Sequence, residues 1–486
     1  MTPRRWYVLP LLLVALLAGC TPSAPPTPPP VPPAGPLGVL DYSAGRSTPV
    51  ADPVYPDYGN PALDVLGYQL RLTWQPERKE LAGAATVYVR PTTALDALRL
   101  DFSRAYTVDR ATVDLAAVTP SWQGDDLVLR AAAVADRVVV IEVAYHGSPR
   151  TVRMRSERGD FDEGLGLRST VDGEAWTMQE PYGASTWYPV NDLVSDEAVY
   201  DVSVTVPAGW SGVAAGALAD VRHSDGQDTF RWTSADPVAA YLMTLAVGRY
   251  TRIDDTGPHG LPLSYWLRTG RDEAYEPAVR RTPELLAWLE DRFGPYPFSS
   301  AGVVLVDSES AMETQQMVTY GAQLRAGPGD EDQVAEVLLH EYSHQWFGDA
   351  VTPTDWNGVW LNEGFAMYAE MLWTIDQATV PEASWVTYAR NADRSLRSRA
   401  GPPGHPDPDH FGEPNVYLGP ALMLREIHKA VGDGAFFAFA TDWVQTQRNQ
   451  PVDRATFTTF VNRHTGRDFT ALIDAWLDSP TTPPTT

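Results

Sequence analysis

The hydrophobic periodicity changes once along the chain, and this change constrains the fold more than any other feature. In the first half, apolar residues alternate with polar ones at residues 68–74 and 200–206, a pattern typical of half-buried β-strands. From about residue 275 the period becomes helical, with one strand-like run at 303–306. The helical patterns cover residues 284–293, 331–347 and 363–373. We therefore predict an α+β chain, in which a β-sandwich-like domain precedes a mainly helical domain with a small sheet.

The N-terminus has the layout of an export signal. Arg4 and Arg5 precede a run at 6–18 that is apolar or proline and is short for a membrane span. Residues 17–20, Leu-Ala-Gly-Cys, resemble a bacterial lipobox. That resemblance implies a signal peptide over residues 1–19, a lipidated Cys20, and a protein exported and lipid-anchored to the bacterial cell envelope. An ordinary signal peptide with an incidental cysteine is the alternative.

The segment after Cys20 is rich in proline. Residues 21–36 contain nine prolines in sixteen positions, a composition that cannot pack a core and favours an extended spacer. We assign residues 20–55 to the lipidated cysteine and this linker, and residues 479–486 to a disordered tail.

The composition excludes several kinds of partner and site. The formal charge is −25, from 37 basic and 62 acidic residues, and such a surface repels phosphate backbones. We therefore expect no nucleic-acid partner. Cys20 is the only cysteine, so no disulfide forms within the chain and Cys-rich zinc or iron–sulfur sites are excluded.

The strongest chemical motif is His-Glu-Tyr-Ser-His at residues 340–344. It lies late in a helical pattern that follows Asp330, a favourable N-cap, and precedes Gly348, a favourable helix stop. Four residues turn a helix by about 400°, so His340 and His344 lie about 40° apart on one face and can bind one zinc ion. Glu341 lies one step round the helix, where it can reach a water beside the metal.

A third ligand candidate, Glu363, opens the next helical pattern, with eighteen residues between it and His344. Three protein ligands leave one position open, which is the arrangement of catalytic zinc, whereas structural zinc takes four. No further histidine or cysteine lies near these residues in the sequence. A structural zinc site or a helix without metal is the alternative interpretation.

The two motifs together resemble those of the gluzincin aminopeptidases, the family of aminopeptidase N and leukotriene hydrolase. The matching residues are H-E-Y-S-H-Q-W-F-G-D at 340–349 and W-L-N-E-G-F-A at 360–366. The resemblance implies an N-terminal β domain, here at 56–252, followed by a thermolysin-like catalytic domain at 253–478. Only 69 residues follow Tyr417, so we expect a short two-domain form without the family's C-terminal helical domain.

The resemblance also implies roles for residues outside the zinc motif. Residues 310–314, Ser-Ala-Met-Glu-Thr, are similar to the family's G-x-M-E-N element, with Ser310 and Thr314 in place of Gly and Asn. Further matches are the stretch at 179–192 and Asn-Val-Tyr-Leu-Gly at 415–419, which is similar to Y-x-K-G without the Lys. The implied substrate-binding residues are Glu313, Ala311 and Glu180; Tyr417 is the implied oxyanion donor, and Glu370 the implied support of a zinc-bound histidine.

The residues alone leave other interpretations open for four of these positions. Glu313 is compatible with a solvated carboxylate, Glu180 with an interdomain ion pair, Tyr417 with a packed aromatic, and Glu370 with a helix-surface acid.

The resulting functional prediction is a zinc aminopeptidase with one zinc ion per chain and Glu341 as general base. Its partners are peptides with a free N-terminus, because two carboxylates at the amine site serve no purpose in an endopeptidase. An epoxide hydrolase of the same family and a catalytically silent peptide-binding lipoprotein are the alternatives. The chain has no G-x-S-x-G element, which argues against a serine hydrolase.

Overall fold

A computed structural model of the protein describes residues 40–156, 158–324 and 330–485. The first region is built from strands, as predicted. In the first long strand Tyr68, Leu70 and Leu72 are buried, whereas Gln69 and Arg71 between them are partly exposed. The strands are β1 (Leu63–Gln75), β2 (Glu80–Pro91), β3 (Leu98–Asp101), β4 (Tyr106–Val113), β5 (Ala116–Ala117), β6 (Pro120–Gln123), β7 (Asp126–Leu129), β8 (Val139–Gly147), β9 (Gly166–Ser169), β10 (Ala175–Met178), β11 (Ala198–Pro207), β12 (Ser211–Ala214), β13 (Ala217–Ser224), β14 (Gln227–Val238) and β15 (Leu245–Gly248).

These strands form three sheets within the described residues. The largest has the order β13-β14-β11-β1-β2-β8-β4-β5, and its β1–β11 pair is parallel. A four-stranded sheet, β12-β15-β10-β9, and a three-stranded sheet, β3-β7-β6, complete the region. Strand β10 ends two residues before Glu180, so the smaller sheet delivers this carboxyl to the edge of the region.

The second region combines a sheet with helices. The sheet has the order β16-β17-β18-β20-β19, so β19 lies at its edge. Its strands are β16 (Tyr250–Thr256), β17 (Pro262–Arg268), β18 (Ala301–Val306), β19 (Ala311–Met312) and β20 (Val318–Gly321). The helices are α1 (Glu276–Val279), α2 (Thr282–Phe293), α3 (Glu331–Ser343), α4 (Val359–Asp376), α5 (Glu382–Ala400), α6 (Asn415–Val431), α7 (Asp433–Gln447), α8 (Arg454–Thr465) and α9 (Thr470–Asp478). The predicted α+β architecture is confirmed.

Helices α4 and α6 approach each other closely beside the site. A Cβ atom on Gly364 would lie 2.5 Å from Cβ of Pro420, so only glycine fits between these two helices. This contact fixes Glu363, the preceding residue, relative to the first turn of α6. Packing of the two helices thus places side chains from both beside one cavity.

One hydrophobic core joins the two regions. Trp266, Val304, Met312 and Trp356 of the second region belong to the same buried cluster as the inner face of the β region. The two regions therefore pack directly against each other beneath the cleft between them.

The predicted linker and the predicted tail both include residues that make defined contacts. Residues 41–55, within the predicted linker, contain buried Gly45, and Ser47 Oγ lies 3.0 Å from carboxylate oxygens of both Asp64 and Asp196. Within the predicted tail, the hydroxyl of Thr482 donates to Asp393. The predicted signal peptide and Cys20 lie outside the described residues. No helix among the described residues is long and apolar enough to cross a membrane.

Candidate metal centre

Helix α3 positions the first histidine and the predicted general base. Its N-cap is as predicted, since Asp330 accepts a hydrogen bond from the backbone N–H of Gln333 at 3.2 Å. His340 and Glu341 lie in the last turn, and His344 follows with helical dihedrals, φ −61° and ψ −24°. The two imidazoles therefore share one face, with ring centroids 5.0 Å apart.

The helix ends earlier than its sequence pattern predicts. The pattern runs to Phe347, but α3 ends at Ser343 and a wide turn follows, in which Phe347 has φ −119° and Gly348 has φ 131°. This turn brings the carbonyl oxygen of Phe347 to 3.1 Å from Nδ1 of His344. The break in the helix thus serves the orientation of a ligand.

Helix α4 supplies the third donor. Oε2 of Glu363 lies 3.4 Å from Nε2 of His340 and 3.5 Å from Nε2 of His344. The three donor atoms all lie within 4.8 Å of one another, and theirs is the one such group of His, Cys, Asp or Glu among the described residues.

Each imidazole is held at its outer nitrogen. Nδ1 of His340 lies 3.1 Å from Oε2 of Glu370, and Nδ1 of His344 lies 3.1 Å from the Phe347 carbonyl. Both partners are acceptors, so each Nδ1 carries the proton and each Nε2 lone pair faces Glu363. Glu370, two helical turns after Glu363, therefore contacts a histidine instead of lying free on the helix surface.

The donor set fits zinc. Oε2 of Glu363 is buried and has no hydrogen-bond partner in the described part of the chain. Burial opposes ionisation, but the neighbouring imidazoles of His344 and His340 lower the pKa of this carboxyl, so it remains an anion. Two imidazoles and one carboxylate, all buried, form a donor set that zinc prefers.

Glu341 lies beside this set without joining it. Its side chain is buried, and burial raises the pKa of Glu341 to about 7, although the neighbouring imidazoles lower it. A carboxyl with its pKa near neutrality can accept a proton and release it again.

Two further carboxyls approach each other from the two regions. Glu313 follows edge strand β19, where the Gln345 side chain donates to its carbonyl oxygen at 2.8 Å. Glu180 follows Gln179, whose amide donates to two backbone carbonyls and accepts from Trp187 at 2.9 Å. Both backbones are thus firmly held.

In the described part of the chain, neither of these two carboxyl groups forms an ion pair. Oε1 of Glu180 and Oε1 of Glu313 are buried, and neither has a hydrogen-bond partner among the residues described. Burial, and then the charge of Glu313, raises the pKa of Glu180, and burial also raises the pKa of Glu313. No ion pair of Glu180 is found in the described ranges, so the geometry does not favour the interdomain ion pair left open above. A cation placed between the two carboxyls would relieve the cost of burying them.

Ser310 and Thr314, which depart from the family's G-x-M-E-N pattern, do not disrupt strand β19 before Glu313. Met312 pairs with Thr319 in the antiparallel β19–β20 ladder. The Thr314 hydroxyl donates to the Met317 carbonyl and lies 2.8 Å from the Thr319 hydroxyl. Threonine thus holds the turn after Glu313 through its hydroxyl.

Tyr417 lies in the first turn of α6, over the histidines. Its ring centroid is 6.0 Å from that of His340, and the two planes differ by 21°. Burial raises the pKa of Tyr417, so the phenol keeps its proton. Its oxygen accepts a hydrogen bond from Nη1 of Arg158 at 3.3 Å.

Comparison with known families agrees with this geometry. Residues 278–476 match the model of a family described as "Peptidase family M1 domain". These residues form a peptidase family M1 domain. It contains both histidines, Glu341, Glu363 and Tyr417, whereas Glu180 lies outside it.

The matches to curated relatives cover only part of the length of those proteins. Glutamyl aminopeptidase of Mus musculus is 30% identical over 210 residues, which are 41% of this chain and 22% of that protein. Aminopeptidase B of Mus musculus is 30% identical over 191 residues, 38% of this chain and 27% of that protein. The chain thus spans about a quarter of the length of these relatives.

Solved two-domain structures match both regions. The crystal structure of an M1 zinc metallopeptidase from Deinococcus radiodurans is 28% identical, with a TM-score of 0.78 over 90% of this chain and 99% of that chain. A structure of a variant of it with a bound Tyr-Ser-Ala substrate has a TM-score of 0.79 over the same shares. These matches confirm the predicted resemblance to M1 zinc metallopeptidases, and the described part of the chain has the fold of their two-domain form. The cluster of His340, His344 and Glu363 is compatible with the predicted zinc cofactor.

The M1 domain and the β region together enclose one cavity of about 800 Å³ around these residues. All three metal-ligand candidates line it, as do Glu341, Glu370, Tyr417, Glu313, Glu180 and Ala311. Three residues that were not predicted from the sequence also line the cavity: Arg158, Trp385 and Tyr388. No motif distinguishes these three residues in the sequence, because their place depends on the packing of distant segments.

Proposed function

We propose that this protein is a zinc-dependent aminopeptidase that removes N-terminal amino acids from peptides. One observation carries the proposal: Glu180 and Glu313, from two regions, bury unpartnered carboxyl oxygens in the cavity that holds the metal-ligand candidates. The terminal ammonium of a peptide is a cation that would satisfy both. An internal peptide segment offers no charge at this point, so the arrangement favours exopeptidase action.

The remaining residues fit the hydrolysis of the first peptide bond. Zinc held by His340, His344 and Glu363 would supply Lewis-acid chemistry, polarising the carbonyl group and making water more acidic. Glu341 takes the proton from the attacking water and passes it to the leaving nitrogen.

Two residues act on the carbonyl group and the substrate backbone. The Tyr417 hydroxyl donates to the carbonyl oxygen as negative charge develops there. Ala311, on edge strand β19, lines the cavity and is assigned to contact with the substrate backbone.

The relatives support this assignment. The two curated relatives named above are aminopeptidases by name, and a variant of the matching Deinococcus enzyme has been solved with a Tyr-Ser-Ala substrate. A variant of a two-domain M1 zinc metallopeptidase has been solved with L-arginine. The two alternatives explain less of the site. A silent peptide-binding protein has no use for Glu341 as a proton acceptor, and an epoxide has no ammonium to pair with Glu180 and Glu313.

Blocking the substrate amine tests the proposal directly. N-acetylation removes the ammonium, so we expect kcat/KM for an acetylated tripeptide to fall at least about 10²-fold below that of the free tripeptide, because the buried carboxyls keep no partner. Chromatography of the products gives both rates and the position of the cut.

Matched variants test whether Glu313 and Glu180 are the groups that bind the substrate amine. Glu313→Gln and Glu180→Gln are expected to raise KM for free peptides and to narrow the gap between free and acetylated substrates. Glu77→Gln, an exposed glutamate of the β region, serves as the control. Rapid cleavage of acetylated peptides by the wild type would contradict aminopeptidase action.

We also propose that the protein is anchored to the cell envelope through Cys20, with its catalytic body outside the cytoplasm. The lipobox-like Leu-Ala-Gly-Cys and the proline-rich segment after it support this proposal. Cys20→Ser removes the only thiol, so we expect the protein to move from the membrane to the soluble fraction on cell fractionation. An unchanged membrane association would show that Cys20 is not the anchor.

A further inference from the structure

Arg158 reaches from the β region into the catalytic cavity. It lies immediately before a short 3-10 helix, Gly159–Glu163, and its Nη1 donates to the Tyr417 oxygen at 3.3 Å and to the Gly412 carbonyl at 2.8 Å. One nitrogen thus binds both the phenol and the segment leading into α6. A Cβ atom on Gly412 would lie only 3.0 Å from this Nη1, so the guanidinium occupies a closely fitted position.

Other contacts fix the guanidinium on its far side. Asp160 accepts from Nε at 3.1 Å and from Nη2 at 2.6 Å, so the pair is bidentate. Phe161 lies below the guanidinium plane, with 4.6 Å between its ring centroid and the Arg158 Cζ. With Nε, Nη1 and Nη2 all engaged, the side chain has little rotational freedom left.

The same network extends to the strand that carries the amine site. The Ser310 hydroxyl donates to Oδ2 of Asp160 at 3.0 Å, and Ser310 directly precedes β19. Ser310, which replaces the glycine of the family's motif, therefore connects the Glu313 strand to Arg158 and, through it, to Tyr417.

A guanidinium has only hydrogen-bond donors, so the Tyr417 oxygen must act as acceptor towards it. The phenol hydrogen then points away from Arg158, towards the side of the cavity where Glu363 lies and a substrate carbonyl oxygen would bind. The adjacent positive charge also makes the hydroxyl a stronger donor to developing negative charge. We propose that Arg158 is a positioning residue, which orients the Tyr417 hydroxyl towards the scissile carbonyl. This inference rests on the aminopeptidase function proposed above.

A double-mutant cycle separates this role from simple packing. Arg158→Met is expected to lower kcat on an aminoacyl anilide about 10- to 100-fold with KM almost unchanged, because the donor is lost from its productive geometry. In a Tyr417→Phe background the same substitution is expected to change kcat less than about threefold, since the hydroxyl it positions is already absent. Arg158→Lys keeps the charge without the bidentate geometry and should recover part of the rate.

A neighbouring arginine provides the matched control. Arg155 also bridges the two regions, through Asp409 at 3.5 Å, but is exposed and does not line the cavity. Arg155→Met is expected to leave kcat and KM unchanged. If Arg158→Met does not fold, Asp160→Asn is used instead, because it keeps the arginine but removes the negative charge of its bidentate partner. The cycle is then repeated with that variant.

Several results would overturn the inference. Equal losses in the wild-type and Tyr417→Phe backgrounds would show that Arg158 acts independently of the phenol. A rise in KM that grows with peptide length would make it a substrate-binding residue.

Calorimetry gives a readout besides turnover. A phosphinic dipeptide, which mimics the tetrahedral state, should bind about tenfold more weakly to Arg158→Met than to the wild type, whereas a free amino acid should bind equally to both. A zinc-loaded wild type that leaves free-amine substrates intact would refute the proposed function itself, and the positioning role with it.

Discussion

Glu341→Gln is expected to lower kcat by about 10²–10⁴ while the fold and zinc content stay intact. Glutamine has nearly the same shape but cannot accept a proton from the attacking water. Glu341 is not a member of the donor set formed by His340, His344 and Glu363, so its replacement leaves the ligand atoms in place. Steady-state kinetics on an aminoacyl anilide, with metal analysis of the same preparation, measures both quantities.

Glu331→Gln provides the control on the same helix. Glu331 is exposed in the first turn of α3, so its replacement is expected to change kcat less than about twofold. A Glu341→Gln enzyme with near wild-type kcat would assign the proton transfer to another group. Loss of zinc along with activity would place Glu341 in metal binding instead.

The metal site was predictable because it is local. His340 and His344 belong to one helix, and Glu363 lies on the next helix along the chain. Helical geometry alone therefore indicates which side chains share a face. Glu370 lies seven residues after Glu363, so two turns of the same helix explain why it too reaches the site.

The proposed amine site and the network around Tyr417 were less accessible to sequence reasoning. Glu180 lies in the β region, and only the family resemblance connected it with Glu313. Arg158 is separated from Tyr417 by 259 positions and belongs to no motif. Their contacts depend on how the β region packs against the M1 domain, and local periodicity carries no information about such packing.

The end of α3 shows a different limit of prediction from sequence. Its sequence pattern stays helical to Phe347, yet α3 ends at Ser343 and Phe347 has non-helical dihedrals, so that the Phe347 carbonyl lies 3.1 Å from Nδ1 of His344. The pattern records which residues are buried, and Phe347 is buried although its backbone is not helical. A functional break of this kind is therefore invisible to periodicity.

Tyr417→Phe is expected to lower kcat and kcat/KM together by about 10²–10³, with KM almost unchanged. The hydroxyl matters mainly once the carbonyl oxygen carries negative charge, so its loss weakens the transition state more than the bound substrate. The ring of Tyr417, which lies beside His340, is kept, and zinc content should therefore match that of the wild type. Kinetics on a series of aminoacyl anilides, with metal analysis, measures this.

The contrast with Glu313 distinguishes transition-state from ground-state contacts. The ammonium contact exists before the reaction begins, so Glu313→Ala is expected to raise KM, with a further loss of kcat from misplaced substrate. Tyr417→Phe should change KM very little, because a hydrogen bond from the phenol stabilises the neutral carbonyl oxygen of the bound substrate only weakly. If Tyr417→Phe raised KM and spared kcat, Tyr417 would be a wall of the substrate pocket. The oxyanion would then need a different donor, and Arg158, whose Nη1 lies 3.3 Å from the same phenol oxygen, would be the nearest cationic candidate to examine.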